Sequence, residues 1–230
     1  SADPYSSVSE GEVINKYGNH MGGRIISLDA EFKDFYFNLY WQTIFEDGSG
    51  LNWHNSEDGL YGISIKMKDK KQILNGLCFE LLHTNEQSGP VHDTARGLKG
   101  NDNYFNNSVY RSGWSHYGFT IGNPFITSPI YNKTGDRFRN NKVIVHHYGF
   151  EGNIYKDINY TLHFTFHDNF GTNANPYDPP KDFMSTMLTV NFPLKLLNGL
   201  DVSTKFAVDS GNMYGYNFGF MFSIIKRGSF

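Results

Sequence analysis

The 230-residue sequence contains a single cysteine, Cys78, so no disulfide framework can form within the chain. It also lacks any run of roughly 18 apolar residues, the minimum for a membrane-spanning helix. That absence excludes a helical membrane protein but not a barrel, whose spanning strands alternate apolar and polar residues. Residues 1–12 are polar and do not resemble a signal peptide. If the protein is exported, we expect its signal to have been removed or to lie upstream.

A dominant charge and a helical pattern are missing as well. The net charge is −3, with both signs interspersed and no basic stripe, so we expect no nucleic-acid partner. The densest basic group, Lys66, Lys68, Lys70 and Lys71, lies at a predicted hairpin turn and is typical of a solvated turn. Few segments repeat apolar residues at helical spacing. Instead, 20 Phe, 15 Tyr and 24 Gly favour strands and tight turns.

Apolar and polar residues alternate along many segments, which is the pattern of strands with one apolar and one polar face. The clearest segment is residues 34–46, where one face carries Phe35, Phe37, Leu39, Trp41, Thr43 and Phe45. The pattern recurs at residues 26–32, 61–67, 76–81, 158–167, 200–209 and 214–224, and more weakly at 143–150 and 184–192. The sequence therefore predicts about nine strands.

The lengths of the connections favour a barrel over a soluble sandwich. Short connections alternate with long ones at residues 46–58, 85–141 and 168–182, as short periplasmic turns alternate with long extracellular loops in outer-membrane barrels. We therefore predict an all-β, antiparallel transmembrane β-barrel over residues 24–230. The polar segment 1–23 is then an extracellular loop. A secreted, soluble lectin-like β-sandwich stays open as an alternative.

The strand count and the end of the chain give two further expectations. Nine strands put the two ends of the barrel portion on opposite sides of the membrane. Bacterial barrels have even strand numbers, so both of their ends lie on the same side. We therefore expect either a C-terminal part of a larger barrel or one missed strand near residues 114–121, giving nine or ten strands in this chain. Phe230 after an amphipathic strand resembles the insertion signal of bacterial outer-membrane barrels.

The connection 85–141 is rich in amide, hydroxyl and aromatic groups, which are the groups that recognise sugars. The predicted glycan-binding residues, drawn from this connection and from 46–58, are Trp53, Asn101, Asp102, Tyr104, Trp114, His116 and Tyr117. The alternative is an ordered lid over the barrel mouth, held by its own hydrogen bonds. Both interpretations stay open.

The sequence contains few residue patterns that would indicate catalysis or metal binding. His146 and His147 are adjacent and face opposite sides of a strand, while His163 and His167 are about 13 Å apart at strand rise. The sequence contains no G-x-S-x-G motif and no glycine-rich phosphate loop. We therefore expect a protein that is not an enzyme, with no catalytic residues, no metal site and no cofactor.

Several motifs carry a family resemblance: they lie at residues 45–50, 58–63, 85–90, 101–106, 112–115 and 120–124. In these motifs, and over about residues 24–125, the chain resembles the Wzi-type capsule assembly outer-membrane proteins of Bacteroidetes. Members of that family are longer, so the resemblance places this chain at their C-terminal portion. It implies a bacterial outer-membrane protein that assembles or retains capsular or surface polysaccharide.

The partners expected from this interpretation are surface polysaccharide, outer-membrane lipid, lipopolysaccharide and, as a further option, other outer-membrane subunits. The resemblance brings no catalytic residues. A porin, or a scaffold barrel subunit of a larger outer-membrane complex, is the alternative function.

Overall fold

The computed structural model describes residues 21–45, 53–89, 91–93, 98–107, 110–132, 135–155, 157–194 and 199–226. Almost all of its regular structure is extended. Within these residues the strands are, in chain order, β1 Gly22–Glu31, β2 Phe35–Phe45, β3 Gly59–Met67, β4 Gly76–His83, β5 His92–Asp93, β6 Leu98–Lys99, β7 Ser115–His116, β8 Phe119–Thr120, β9 Lys142–Tyr155, β10 Ile158–Gly171, β11 Pro176–Leu194, β12 Leu200–Gly211 and β13 Asn217–Lys226. Among the described residues, a 3-10 turn spans Pro129–Tyr131, between β8 and β9.

Nine of these strands form one sheet in the order β1-β2-β3-β4-β9-β10-β11-β12-β13, and every neighbouring pair is antiparallel. The predicted all-β, antiparallel class is confirmed. The sheet is open, because β1 and β13 are not paired with each other in the described residues. Within the same ranges, no helix has the length and apolarity needed to cross a membrane.

The strand register separates an apolar face from a polar face across the whole sheet. One row on the apolar face consists of Leu28, Leu39, Ile63, Phe79, Tyr148, Phe164, Thr186, Val208 and Phe218. The adjacent row on the polar face consists of Asp29, Asn38, Ser64, Cys78, Gly149, His163, Met187, Ala207 and Gly219. Large side chains of the apolar face stay exposed, for example Leu28 at 59% and Phe218 at 72%. No second sheet of the described chain covers them.

Successive connections alternate between the two ends of the strands because every neighbouring pair is antiparallel. The connections at 46–58, 84–141, 172–175 and 212–216 share one end, which we call the loop edge. Those at 32–34, 68–75, 156–157 and 195–199 share the other end, which we call the turn edge.

One predicted long connection is wrong. Residues 168–182 are not a loop, because β10 continues to Gly171 and β11 begins at Pro176, leaving a four-residue turn at 172–175. The polar residues that suggested a loop keep their strand pairing, as Asp168 does with Asp182. A bulge near Gly171 interrupts the ladder, and bulges tolerate prolines such as Pro179 and Pro180.

The candidate tenth strand near residues 114–121 is also corrected. This segment forms the small hairpin of β7 and β8, which belongs to a separate two-stranded sheet and not to the main sheet. Each arm of this hairpin has 2 residues, whereas the shortest strand of the nine-stranded sheet, β4, has 8.

The buried core lies on the polar face at the loop edge. There, Leu82, Val143 and Val145 project from the strands and meet four side chains of the 84–141 connection: Tyr104, Phe105, Ile126 and Phe138. These strand positions belong to the polar face by register. Their side chains are nevertheless apolar, which fits their burial under the connection. The 84–141 connection therefore packs across the polar face instead of extending away from the sheet.

Candidate functional site

A buried carboxylate fastens the 84–141 connection to the start of β3. Asp58 is fully buried, and its Oδ2 accepts hydrogen bonds from the Gln87 amide at 2.8 Å and the Tyr104 hydroxyl at 2.7 Å. Its Oδ1 accepts one from the Glu86 amide at 2.9 Å and lies 3.0 Å from His83 Nδ1. Four partners thus satisfy a carboxylate that would otherwise be unfavourable to bury.

Buried amides hold the far end of the same connection. Asn141 donates to Asn103 Oδ1 at 2.6 Å and to the Tyr104 carbonyl at 2.7 Å. Its own carbonyl accepts from Thr84 Oγ1 at 2.8 Å, and its Oδ1 accepts from Gln87 Nε2 at 3.2 Å. Networks in which every member is satisfied specify one conformation. The connection therefore has the internal hydrogen bonding that the lid interpretation expects.

Tyr104, one of the predicted glycan-binding residues, lies inside this network. Its side chain has no exposed surface, and its hydroxyl is shared between Asn55 and Asp58 at 2.7 Å each. Burial, together with the nearby Asp58 carboxylate, raises the pKa of Tyr104 well above its ordinary value, so the hydroxyl stays a donor. This burial corrects the placement of Tyr104 among the accessible loop residues, and we remove it from the contact set.

Three other residues of the predicted glycan-binding set differ in how exposed they are. Trp114 is half-buried and packs against the core below the connection. Asp102 is half-buried, and its Oδ2 accepts a hydrogen bond from Ser88 Oγ at 2.6 Å. Asn101 is exposed, with a positive φ of 65° that asparagine tolerates better than most residues. Of these three, Asn101 offers the most accessible polar group.

His116 and Tyr117 lie at the exposed tip of the hairpin formed by β7 and β8. The two turn residues, Tyr117 and Gly118, have φ values of 49° and 81°, and positive values at both positions characterise a type I′ turn. The Ile130 amide donates to the Gly118 carbonyl at 2.9 Å, which fixes the hairpin on the 3-10 turn. Tyr117 is 86% exposed and packs edge-on against His116 at 4.5 Å. An aromatic ring is thus held out into solvent by a rigid turn.

Further tyrosines accompany Tyr117 at the loop edge. Tyr131 follows Ile130 and is 70% exposed, and its ring centroid lies 6.5 Å from that of Tyr214. The Tyr214 hydroxyl lies 2.8 Å from Thr127 Oγ1, and burial raises the pKa of Tyr214. Tyr216, in the same turn as Tyr214, is 88% exposed. We call Tyr117, Tyr131, Tyr214 and Tyr216 the tyrosine surface.

Three members of the tyrosine surface, Tyr131, Tyr214 and Tyr216, are not among the residues predicted from the sequence to bind glycan. Tyr214 and Tyr216 extend the alternating pattern of 214–224, so they were assigned to a strand, but β13 begins only at Asn217. Tyr131 lies in a separate connection, more than 80 residues away from them. Gly215 is a sequence signal for a turn, because glycine adopts positive φ readily, and its φ in the structure is 77°. The contact between Tyr131 and Tyr214 could not be predicted in this way, because it depends on how the two connections meet in the folded chain.

Trp53, another residue of the predicted glycan-binding set, contacts side chains near the apolar face of the sheet. Its ring lies 5.6 Å from that of Trp41, and the Arg24 guanidinium carbon lies 4.3 Å from the Trp53 ring centroid. Trp41 in turn stacks on Tyr61 at 6.0 Å. Trp41, Tyr61 and Arg24 project from the apolar face near the loop edge. We call Arg24, Trp41, Trp53 and Tyr61 the rim cluster, which shares no residue with the tyrosine surface.

Two histidines from neighbouring strands meet on the polar face, a contact that the sequence pattern does not predict. His147 of β9 and His163 of β10 stack with ring centroids 5.4 Å apart, and their nearest nitrogens are separated by 3.4 Å. In the portion of the chain that the structure describes, no three His, Cys, Asp or Glu side chains form a group able to hold a metal ion.

A known protein family matches the N-terminal part of the chain. The model of a family described as capsule assembly protein Wzi matches residues 5–127, which is more than half of the chain. This region includes β1 to β4 and most of the 84–141 connection, while β9 to β13 lie outside it. No curated protein and no solved structure matches the chain.

Proposed function

This chain belongs to the Wzi family of capsule assembly proteins, and we propose that it forms part of a non-catalytic β-barrel in the bacterial outer membrane that retains surface polysaccharide. The uncovered apolar face of the nine-stranded sheet is the observation that carries this proposal. Soluble proteins rarely leave so wide an apolar surface in contact with water. Acyl chains are the environment that suits it.

The dimensions of the strands support a membrane location. The 11 residues of β2 extend roughly 34 Å at about 3.4 Å per residue. At a tilt of about 40°, they cover roughly 26 Å of membrane thickness, close to the apolar band of outer-membrane barrels. In a soluble sandwich, a second sheet would pack against the apolar face of the first. The described residues contain no such second sheet.

The loop edge supports a surface role. In outer-membrane barrels the longer connections face outward, and here the longest one is ordered by the Asp58 and Asn141 networks. The tyrosine surface at that edge presents broad aromatic faces, which cover the apolar faces of sugar rings. Asn101, which belongs to the same connection as Tyr117, adds an exposed polar group. We propose that polysaccharide contacts this surface. His116 is part of the proposed contact.

A porin is the less favoured function. An open pore needs a water-filled path along the polar face, whereas the 84–141 connection packs against that face through Tyr104, Phe105, Ile126 and Phe138. This packing favours a scaffold whose outer end presents a folded surface. Planar-bilayer conductance tests the distinction, and a wide open channel would support the porin instead.

Retention of polysaccharide on cells tests the proposal. Serine substitutions at Tyr117, Tyr131 and Tyr216, made together, should increase the polysaccharide released into the medium, with the amount of protein in the membrane fraction unchanged. The matched control is Tyr155→Ser, which removes a tyrosine of 61% exposure at the turn edge. Equal release by the triple variant and the wild type would contradict the proposed contact surface.

A further inference from the structure

The apolar face carries a groove along its first four strands. Its volume is about 390 Å³, and apolar side chains form most of its walls: Ile26, Leu28, Leu39, Trp41, Tyr61, Ile63 and Phe79. All seven belong to the apolar face by register. The groove therefore opens on the side of the sheet that we propose to face lipid.

A cation lies at the loop-edge end of this groove. Arg24 occupies the apolar face two residues before Ile26, one row nearer the loop edge. Its guanidinium carbon lies 4.3 Å from the Trp53 ring centroid and 4.9 Å from the Phe45 ring centroid. Aromatic faces attract a guanidinium and hold it in place. The charge is thus fixed at one end of the groove.

The position of Arg24 matches the depth of a lipid headgroup. A cation on the lipid face is strongly unfavourable at the midplane and tolerated near the interfaces. Tryptophan and tyrosine, which are the other members of the rim cluster, also favour that level.

We propose that the rim cluster and the groove together bind a phosphorylated acyl lipid of the outer leaflet. The phosphate pairs with Arg24, and an acyl chain lies in the groove below it. Guanidinium suits this task because its planar set of donors matches phosphate oxygens in a bidentate manner. The inference rests on the proposed membrane location, and it assigns Trp53 to lipid instead of polysaccharide.

Binding of a defined lipid to the purified full chain in detergent tests the inference. The probes are monophosphorylated lipid A and its dephosphorylated counterpart, with bound lipid counted by native mass spectrometry. The wild type should bind the phosphorylated form about ten-fold more tightly, as expected for a charge-assisted pair. Arg24→Gln should abolish the preference while still binding the dephosphorylated lipid, and Arg24→Lys should keep part of it.

Two more variants complete the test. Leu39→Trp, which fills the groove, should weaken binding of both lipids. Lys226→Gln, which removes an exposed cation from the turn-edge end of the same face, should change neither. Equal affinity of the wild type for the two lipids, or an unchanged preference in Arg24→Gln, would overturn the inference. Unchanged binding of both lipids in Leu39→Trp would also overturn it, since the acyl chain would then lie outside the groove.

Failure of the inference and failure of the proposed function give different results. Flotation of the wild type with lipid vesicles tests the membrane location without depending on Arg24. If the protein floats but shows no preference between the two lipids, only the lipid site is wrong. If the wild type does not float, the membrane location is wrong and the lipid site falls with it.

Discussion

Removing the Asp58 carboxylate should release the 84–141 connection while leaving the sheet assembled. Asp58→Ala leaves the buried Gln87 amide without its acceptor and the Tyr104 hydroxyl without the acceptor for its proton. Each buried donor left unpaired costs about 1–3 kcal/mol, so these two losses alone destabilise the packed connection by roughly 2–6 kcal/mol. Asp58→Asn keeps one carbonyl acceptor and should have a smaller effect.

Limited proteolysis of the protein in detergent measures this effect directly. In Asp58→Ala, cleavage within residues 84–141 should be much faster than in the wild type, because opening of the connection becomes more frequent. The strands should stay protected, since their ladders do not involve Asp58. Asp29→Ala is the matched control. Asp29 is exposed and its side chain accepts one hydrogen bond, from Asn38, so its loss should change stability by no more than about 0.5 kcal/mol.

Two results would refute the reasoning about Asp58. Equal cleavage rates in Asp58→Ala and Asp29→Ala would show that the buried carboxylate does not fasten the connection. Loss of strand protection at the same time would show that the connection and the sheet unfold as one unit. That result would contradict the expectation that the strand ladders, which do not involve Asp58, stay intact without it.

Three further predictions concern the faces, the hairpin and the buried tyrosine. Leu162→Arg on the apolar face should destabilise the membrane-inserted protein by about 2–4 kcal/mol, as measured by denaturant unfolding in vesicles, whereas Thr161→Arg on the polar face should have little effect. Gly118→Ala should weaken the hairpin by about 1 kcal/mol and increase polysaccharide release, because its φ is 81° and a Cβ would lie 3.2 Å from that of Ile130. Tyr104 has a raised pKa in the folded state, so its contribution to stability is complete below the ordinary value of 10.0 and is lost as the pH rises above it. Tyr104→Phe should therefore reduce the loss of thermal stability above that pH.

The alternating pattern predicted the sheet well because it reflects local geometry. A strand places successive side chains on opposite faces, so the apolar residues of segments such as 34–46 identify one face without knowledge of the neighbours. Antiparallel pairing then aligns the apolar residues of adjacent strands into rows, as seen from Leu39 to Ile63 and Phe79. The same reasoning failed at 168–182, where polar side chains are compatible with continued strand pairing.

The candidate site was harder to predict because its members meet only in the folded chain. Tyr104 has the composition of a sugar-binding residue, but its burial depends on Asp58, which lies 46 residues earlier. Trp53 likewise lies within a polar connection of the sequence, 46–58, and its position at the apolar face depends on Trp41 and Arg24. Tyr117 was accessible to prediction because its exposure depends on a local two-residue turn.

Site-directed spin labelling along β10 tests most directly whether the apolar face contacts lipid. In a Cys78→Ser background, single cysteines at positions 160–166 would carry a nitroxide in the protein reconstituted into vesicles. Accessibility to oxygen, which concentrates in acyl chains, should be high at the even positions of the apolar face and low at the odd positions. Uniform accessibility, or higher access of a water-soluble nickel reagent at the even positions, would contradict the membrane assignment.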